Sequence, residues 1–328
     1  MGEDLFTEDK ITSICAQVED IDAMEELRLK FRKRRINFVL TAVAVIVMAV
    51  VVLSFNTGAL VGTLTIVLPV VGLIVFYAFY VGTISANLHK RFQENIIKRY
   101  LAALLSDSEY EPERRHDIDV YNHSLLYTTS VDRYNGNNYV TGKLDKTALS
   151  FSFLHTEYKT ETHSSKSGTK TTWHTIFKGV FMQADSNKNF AGKTLVLPDT
   201  AEKYLGGFGK WLQKTTGGAV GKMVYLENVK FEKEFVVYST DPVEARYLLT
   251  PKIQEQILAM KHFLKKDLRL SFVDNAIYIA ISRENIFKLN VSLSFKKPET
   301  LRYYMRDLIE LLTLIHLLDL NIRIWGRE

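Results

Sequence analysis

The chain has 328 residues, of which 24% are charged, and a formal net charge of +5. Its single cysteine, Cys15, excludes an internal disulfide and is typical of a reducing compartment. Nine acids against two bases give residues 1–29 a charge of −7, whereas residues 30–35 carry +5 and residues 90–99 carry +3. The remaining +4 is spread over residues 100–328 and implies no basic face of the kind that nucleic-acid-binding domains carry, so we expect no nucleic-acid partner.

Residues 1–35 are predicted to form an acidic amphipathic helix followed by a basic anchor. A helix start near Thr7 is indicated by the acids that follow it. Apolar residues recur at every third or fourth position, at Ile11, Ile14, Val18, Ile21, Met24, Leu27 and Phe31. The acidic opposite face disfavours an anionic lipid surface, so the apolar stripe is expected to pack within the chain or against a second copy.

Residues 36–88 are predicted to form a transmembrane hairpin. No Asp, Glu, Lys or Arg occurs from Ile36 to His89, and the segments 36–55 and 59–82 are each long enough, at about 1.5 Å per helical residue, to cross roughly 30 Å of hydrocarbon. The first segment is too long and too far from the N-terminus for a cleaved signal peptide. Pro69 is expected to kink the second helix. The lipid bilayer is therefore a predicted partner.

Cations at both outer ends of the hairpin are predicted to fix its topology. They are Lys30, Arg32, Lys33, Arg34 and Arg35 before the first span and Lys90 and Arg91 after the second. Cations next to a span are retained on the cytoplasmic side. We therefore expect both termini in the cytoplasm. Attraction of these cations to anionic lipids of the inner leaflet should further stabilise this orientation.

The remainder is predicted to be an α+β protein with a largely antiparallel sheet. Residues 89–112 are interpreted as a juxtamembrane helix and linker, with the boundary in the polar stretch 106–115, and residues 113–328 as one cytosolic domain. Alternating aromatic and β-branched residues predict strands over 149–160 and 171–185, flanking a polar loop at 161–170. Turns are predicted at Asn135-Gly136 and at Asp274-Asn275, the latter inside a hairpin over 268–282. Further strands are predicted over 192–199, 222–228, 234–240 and 321–325.

Helix caps are the clearest local signals in this region. Asp241 is predicted to cap a helix with Pro242 at its first position, and Glu244 stands where it can close a capping box. Thr250-Pro251 repeats the cap followed by proline, and Pro298 starts a helix with an apolar stripe. Strands followed by helices without regular alternation favour α+β over α/β.

The patterns that could carry chemistry are weak. His155, His163 and His174 could converge on zinc if their two strands pair, although structural roles are favoured for all three. The stretch GGAVGK (217–222) lacks the spacing and flanking elements of a phosphate loop. Asp241, Glu244 and Arg246 could support acid–base chemistry, but capping explains the carboxylates. No catalytic residue, cofactor or metal is therefore predicted.

Several blocks resemble a bacterial family catalogued as domain of unknown function 3137. They are RYNGNNYVTGKLDKTALSFSFLHTEY, HTIFKGVFMQAD, FEKEFVVYSTDPVEARYLLTP, LSFVDNAIYIAI and LDLNIRIW, and they run through most of residues 130–325. The resemblance implies a bacterial inner-membrane protein with its main domain in the cytoplasm, and it suggests partnership with LemA-type membrane proteins. It implies no activity, so no catalytic residue is transferred from the family.

Three hypotheses for function follow from these observations. The first is a non-enzymatic interaction or scaffold module, whose contact loop would carry Lys159, Lys166 and Lys170. The second is a lipid-sensing or lipid-binding domain at the inner leaflet, with an apolar pocket among the aromatic strands. The third is an uncharacterised enzyme, which would require a pocket containing carboxylates with perturbed pKa values.

Overall fold

The computed structural model describes residues 8–55, 58–164, 168–186, 189–199 and 221–323. The chain divides into two compact units. We call residues 8–100 and 289–305 the anchor unit, and residues 101–288 and 306–323 the sheet unit. The main segment of the sheet unit begins at residue 101, and residues 289–305 belong with the N-terminal helices.

The described α-helices differ widely in length, from 4 to 34 residues. Two π-helical turns, Ala78–Gly82 and Gln93–Ile97, join consecutive α-helices. The α-helices are α1 (Glu8–Ala16), α2 (Ile21–Ser54), α3 (Ala59–Tyr77), α4 (Thr83–Phe92), α5 (Lys98–Leu104), α6 (Ile118–His123), α7 (Val229–Glu232), α8 (Pro242–Leu248), α9 (Pro251–Leu264) and α10 (Pro298–Arg323).

The N-terminal amphipathic stripe is divided between two helices. Helix α1 ends at Ala16, and Asp20 has a left-handed backbone (φ 57°) immediately before α2. Aspartate tolerates this conformation better than most residues. Helix α2 then continues without a break from the amphipathic segment into the apolar one.

The anchor unit has its own apolar core beside the predicted spans. Aromatic contacts tie residues 289–305 to α4, since the Phe92 ring lies 4.8 Å from that of Tyr304 and 6.3 Å from that of Phe295. The buried apolar side chains of this core include Ile14, Cys15, Val18, Met24, Phe31, Val81, Ile84, Leu88, Phe92, Ile96, Ile97, Tyr100, Leu289, Phe295, Leu301, Tyr304 and Met305. Part of the cover that the amphipathic stripe needs is therefore supplied within the chain.

The sheet unit contains, among the described residues, nine strands in the order β1-β2-β3-β4-β9-β8-β5-β7-β6. Every neighbouring pair is antiparallel, so the predicted α+β class with a largely antiparallel sheet is confirmed. The strands are β1 (Ser106–Glu111), β2 (Arg133–Leu144), β3 (Thr147–Ser164), β4 (Gly168–Asp185), β5 (Thr194–Pro198), β6 (Lys222–Met223), β7 (Phe235–Ser239), β8 (Leu268–Val273) and β9 (Ala276–Ser282).

The hairpin β3–β4 projects beyond the rest of the sheet. Pairing of β3 with β2 stops at Glu157, and pairing of β4 with β9 begins only at Gly179. Residues 158–164 and 168–174 therefore pair only with each other, and we call this two-stranded ribbon the arm. The loop predicted over 161–170 was too long, because the ladder continues to the pair Ser164–Gly168. Residues 165–167 of that loop lie outside the described residues. The β-branched threonines of this stretch favour extended backbone.

Two other local predictions were wrong. Asn135-Gly136 lies inside β2 rather than in a turn. A Cβ on Gly136 would stand 2.4 Å from the Phe153 carbonyl oxygen, so the glycine permits close approach of two strands. Residues 321–323 continue helix α10 instead of starting a strand, while residues 324 and 325 of that predicted strand lie outside the described residues.

The hairpin predicted over 268–282 is present. Strands β8 and β9 are joined at Asp274-Asn275, and Asp274 has φ 55°. Ser106–Glu111, interpreted as linker, instead form an edge strand paired with β2. One face of the sheet buries an aromatic cluster that includes Tyr121, Phe177, Phe181 and Tyr278, which makes this region a packed core.

Candidate functional site

Two helical segments are long and apolar enough to cross a membrane, judged by length and composition. They are Ile21–Ser54 and Gly62–Leu104. Their apolar side chains are exposed, including Leu40, Met48 and Leu68, each more than 60% accessible. A helix in the core of a soluble protein would bury such residues. At about 1.5 Å per residue, both segments are longer than the roughly 30 Å thickness of a bilayer core.

Arg34 joins the two helices at the basic end of the hairpin. Its Nη1 donates a hydrogen bond of 2.9 Å to the Tyr80 carbonyl, and its guanidinium carbon lies 4.9 Å from the centre of the Tyr80 ring. Tyr80 also stacks on Phe76, with ring centres 4.9 Å apart. Tyr80 lies in the π-helical turn 78–82. An arginine together with such aromatic rings suits a membrane–water interface.

The other cations of the predicted anchor surround the same end of the hairpin. Lys30 pairs with Glu26 at 2.6 Å, and Lys90 lies 3.9 Å from Glu94. The side chains of Arg32, Lys33 and Arg35 are exposed, and that of Arg91 is half-buried. The two helices run antiparallel, so the cations before the first span and after the second meet at one level. This arrangement can hold that end against a surface of anionic headgroups.

Glu25 and Arg28 form a buried ion pair in the anchor unit, and we call it the clamp. The two carboxylate oxygens of Glu25 accept from Nη2 and Nε of Arg28 at 2.6 and 2.9 Å. Glu25 also accepts from the Ser294 hydroxyl and the Phe295 N–H, while Arg28 donates to the Val291 carbonyl. The hydrogen bonds from Arg28, partly opposed by burial, lower the pKa of Glu25 to about 2. The clamp fastens α2 to the segment that precedes α10.

The three histidines weighed as zinc ligands do not converge. His155 contacts the Thr175 hydroxyl, His163 that of Thr169, and His174 that of Thr160. His174 lies opposite Tyr158 in the ladder. Tyr158 is five residues from His163 on the same strand, so His174 and His163 are separated by about 16 Å along the strand direction. In the part of the chain that the structure describes, no group of three His, Cys, Asp or Glu residues is arranged to hold a metal ion.

Two lysines of the predicted contact loop, Lys159 and Lys170, lie on the arm. Lys159 pairs with Glu161 at 2.9 Å, and Lys170 is exposed. Lys166 lies outside the described residues. Trp173, opposite Lys159, packs under the guanidinium of Arg133 at 3.7 Å from its ring centre. The arm offers solvent-facing cations and strand edges whose backbone groups are unpaired within the sheet.

The carboxylates near residue 241 are bound to backbone groups. Asp241 accepts from the N–H groups of Val243 and Glu244 at 3.0 Å, and Pro242 is the first residue of α8. Glu244 closes no capping box, because the N–H of Asp241 donates to Ser239 instead. Glu244 accepts from the N–H groups of Ala191 and Gly192 at 2.9 and 2.7 Å. These bonds leave the pair no evident acid–base task. Most of the glycine-rich stretch 217–222 lies outside the described residues.

An open groove of about 750 Å³ in the sheet unit was not predicted from the sequence. It is lined by the cations Lys178, Lys261, Lys265, Lys266 and Arg283. Its acids are Glu234, Asp267 and Glu284. The run HFLKKD (262–267) was the available signal, but its partners Lys178 and Arg283 are distant in sequence. We call this the basic groove.

Ion pairs hold two acids of the basic groove. Glu234 lies 2.5 Å from Nε2 of His262 and 3.2 Å from Nζ of Lys261. Burial acts to raise the pKa of Glu234, but the hydrogen bonds from His262 and Lys261 outweigh it and the pKa lies below its ordinary value. Lys178 pairs with Glu284 at 3.1 Å.

The buried His116 was also missed. Its Nδ1 lies 2.8 Å from the Ser152 hydroxyl and its Nε2 lies 2.9 Å from that of Ser150. Burial, helped by the charge of Arg114, lowers the pKa of His116 to about 3, so the imidazole is neutral at physiological pH. His116 and Ser152 are almost fully buried, and the cluster therefore serves the core of the sheet unit.

The fold and these features define an α+β protein that carries two candidate membrane helices and no evident catalytic centre among its described residues. Residues 175–320 match the family model described as "Protein of unknown function (DUF3137)". The resemblance predicted from the sequence is thereby confirmed over that range.

Other comparisons add little. No curated protein matches the chain. Among solved structures, the crystal structure of the mycobacterial trehalose monomycolate transport factor A, TtfA, is similar over 70% of this chain and 94% of that chain. The sequence identity is 11% and the TM-score is 0.32. A likeness of this extent carries no information on function.

Proposed function

We propose that the protein is a non-enzymatic interaction module anchored in the bacterial inner membrane by a two-helix hairpin, with both termini and the sheet unit in the cytoplasm. The observation that carries the proposal is the hairpin itself. Its two apolar segments, 36–55 and 59–82, are exposed and contain no Asp, Glu, Lys or Arg, and cations are gathered at one end of it. Exposed apolar surface of this extent requires a lipid or protein cover. The cations favour the cytoplasmic side for that end.

The arm is the surface that we propose for partner contact. It projects beyond the other strands and carries exposed cations, and its outer edges can accept another strand. A membrane protein of the LemA type and a second copy of this chain are the first partners to test. Carriage of a lipid chain is less well supported. The pocket lined by Phe231, Phe235 and Val237 measures about 130 Å³, near the size that holds a single benzene ring, and Asp199 and Glu232 also line it.

Topology is tested by cysteine labelling in a Cys15→Ser background. Gly58→Cys places a thiol in the short loop between the spans, where an added Cβ meets nothing within 4 Å. Lys146→Cys places one in an exposed turn of the sheet unit. In spheroplasts, a membrane-impermeant maleimide is expected to label Gly58→Cys only, whereas Lys146→Cys should react after permeabilisation. Labelling of Lys146→Cys in intact spheroplasts would contradict the proposed orientation.

Partner contact is tested by cross-linking in membranes followed by capture of the full-length protein in mild detergent. The variant Lys159→Glu/Lys170→Glu reverses two charges on the arm. Lys146→Glu/Lys252→Glu reverses two exposed charges elsewhere in the sheet unit and serves as the control. We expect the arm variant to recover at least about tenfold less partner than the wild type, which is the usual effect of removing a central contact. The control variant should recover as much partner as the wild type. Equal recovery with both variants would exclude the arm as the contact.

A further inference from the structure

The basic groove collects cations from separate parts of the sheet unit. Lys178 comes from β4, Lys261 from α9, Lys265 and Lys266 from the turn after α9, and Arg283 from the end of β9. Its volume of about 750 Å³ lies within the usual range for small-molecule sites. Five cations and three acids line it, and a fourth acid, Glu310, lies 3.9 Å from Arg283. A charge excess within a concave site concentrates ligands of the opposite sign.

The acids do not neutralise the groove evenly. Glu234 is held by Lys261 and His262, and Glu284 by Lys178. Among the described residues, no carboxylate lies within 4.0 Å of the ammonium groups of Lys265 or Lys266, and both side chains are exposed. The hydrogen bond from Lys178 and the charges of Lys178, Lys288 and Lys266 lower the pKa of Glu284. The local field is therefore positive even where an acid is present.

We propose that the basic groove is a binding site for a phosphate-bearing ligand, with Lys265 and Lys266 as its principal contacts. Adjacent ammonium groups are strongly hydrated point charges, and phosphate oxygens accept several charge-assisted hydrogen bonds at once. The polar lining does not suit an acyl chain, so the ligand is recognised through its phosphate. The exposed Asp267 also lines the groove and reduces the charge excess. This inference goes beyond the proposed function and does not rest on it, because binding is measured in detergent without partner or membrane.

Two sources can supply this chemistry, a soluble diphosphate or a lipid headgroup, and separate probes distinguish them. Inorganic pyrophosphate represents the soluble source. Dihexanoyl phosphatidic acid represents the headgroup. Dihexanoyl phosphatidylcholine serves as the control, because its choline cation offsets the charge of the phosphate. Each probe is titrated calorimetrically into the full-length protein in a non-ionic maltoside detergent at low and at high salt.

The decisive variant is Lys265→Ala/Lys266→Ala, compared with Lys146→Ala/Lys252→Ala, which removes the same charge from exposed positions outside the groove. We expect the wild type and the control to bind pyrophosphate or phosphatidic acid with an affinity that falls as salt rises. The groove variant should bind at least tenfold more weakly. Binding of pyrophosphate assigns a soluble ligand, and binding of phosphatidic acid alone assigns a headgroup. The proposal is overturned if neither probe binds the wild type, or if the two double variants bind equally.

Discussion

Replacing Arg28 by methionine is expected to destabilise the anchor unit by about 3–5 kcal/mol. Methionine keeps much of the volume of Arg28 but leaves the Glu25 carboxylate buried without its cation. Both residues are about 5% exposed or less, so water cannot take over the lost interaction. A lowered unfolding temperature of the protein purified in detergent, together with faster trypsin cleavage, measures the effect.

Two further variants separate loss of charge pairing from loss of packing. Glu25→Met/Arg28→Met removes both charges and should recover part of the stability, since an apolar pair of similar volume often replaces a buried ion pair. Lys30→Met breaks the neighbouring pair with Glu26, which is exposed, and no measurable change is expected. If Arg28→Met were as stable as Lys30→Met, the clamp would have no structural role.

The clamp also predicts a pH dependence. The pKa of Glu25 is lowered to about 2 from 4.5. The stabilisation from its ionised form is therefore complete above about pH 4.5 and is lost as the pH falls through about 2, and it amounts to about 3 kcal/mol. The wild type should lose stability across this window by more than Glu25→Met/Arg28→Met, and parallel curves for the two proteins would exclude Glu25 as the source.

Replacing Ile46 by arginine is expected to lower the fraction of protein molecules that are inserted in the membrane. Ile46 lies near the middle of the first apolar segment with its side chain 58% exposed. Arginine at the centre of a spanning helix costs about 2.5–3.5 kcal/mol in insertion. The fraction of the protein that stays in the pellet after carbonate extraction is the measurement.

The matched control places the same residue at the end of the helix. Phe55→Arg introduces an arginine next to the loop, where its side chain can reach the headgroups, and insertion should be nearly unchanged. Equal behaviour of Ile46→Arg and Phe55→Arg would indicate that the first segment does not cross a bilayer. Recovery of the wild type without detergent in the supernatant would lead to the same conclusion.

The features that the sequence predicted correctly are those determined by local patterns. The charge-free stretch identified two long apolar helices, because length and hydropathy are local properties. Alternation of side chains identified β3, β4, β8 and β9, and the turn at Asp274-Asn275 followed from the left-handed backbone that these residue types tolerate. The α+β class followed from the order of these elements.

The errors arose where tertiary contacts override a local signal. Asn135-Gly136 has the composition of a hairpin turn, yet the Phe153 carbonyl opposite Gly136 makes glycine a packing requirement inside a strand. The polar stretch 161–170 was interpreted as a loop, although its threonines extend the ladder between β3 and β4. Glu244 stands at the capping-box position, but its carboxylate binds N–H groups more than 50 residues away.

The clamp and the basic groove were beyond sequence reasoning for the same reason. Glu25 and Arg28 are three positions apart in an acidic helix and look like a surface pair until Ser294 and Phe295 are placed beside them. The groove brings together Lys178, Lys265 and Arg283 from separate elements. Only the register of β4 with β9 determines that Lys178 and Arg283 are neighbours.

The pairing of residues 289–305 with the N-terminal helices decides how a shortened chain would behave during recombinant production. A fragment starting at residue 113 would lose β1 from the edge of the sheet. It would also retain Phe295 and Tyr304 without the Phe92 ring that covers them. Such a fragment would expose an aggregation-prone apolar surface and would precipitate. Biochemical work on this protein therefore calls for the full-length polypeptide in detergent.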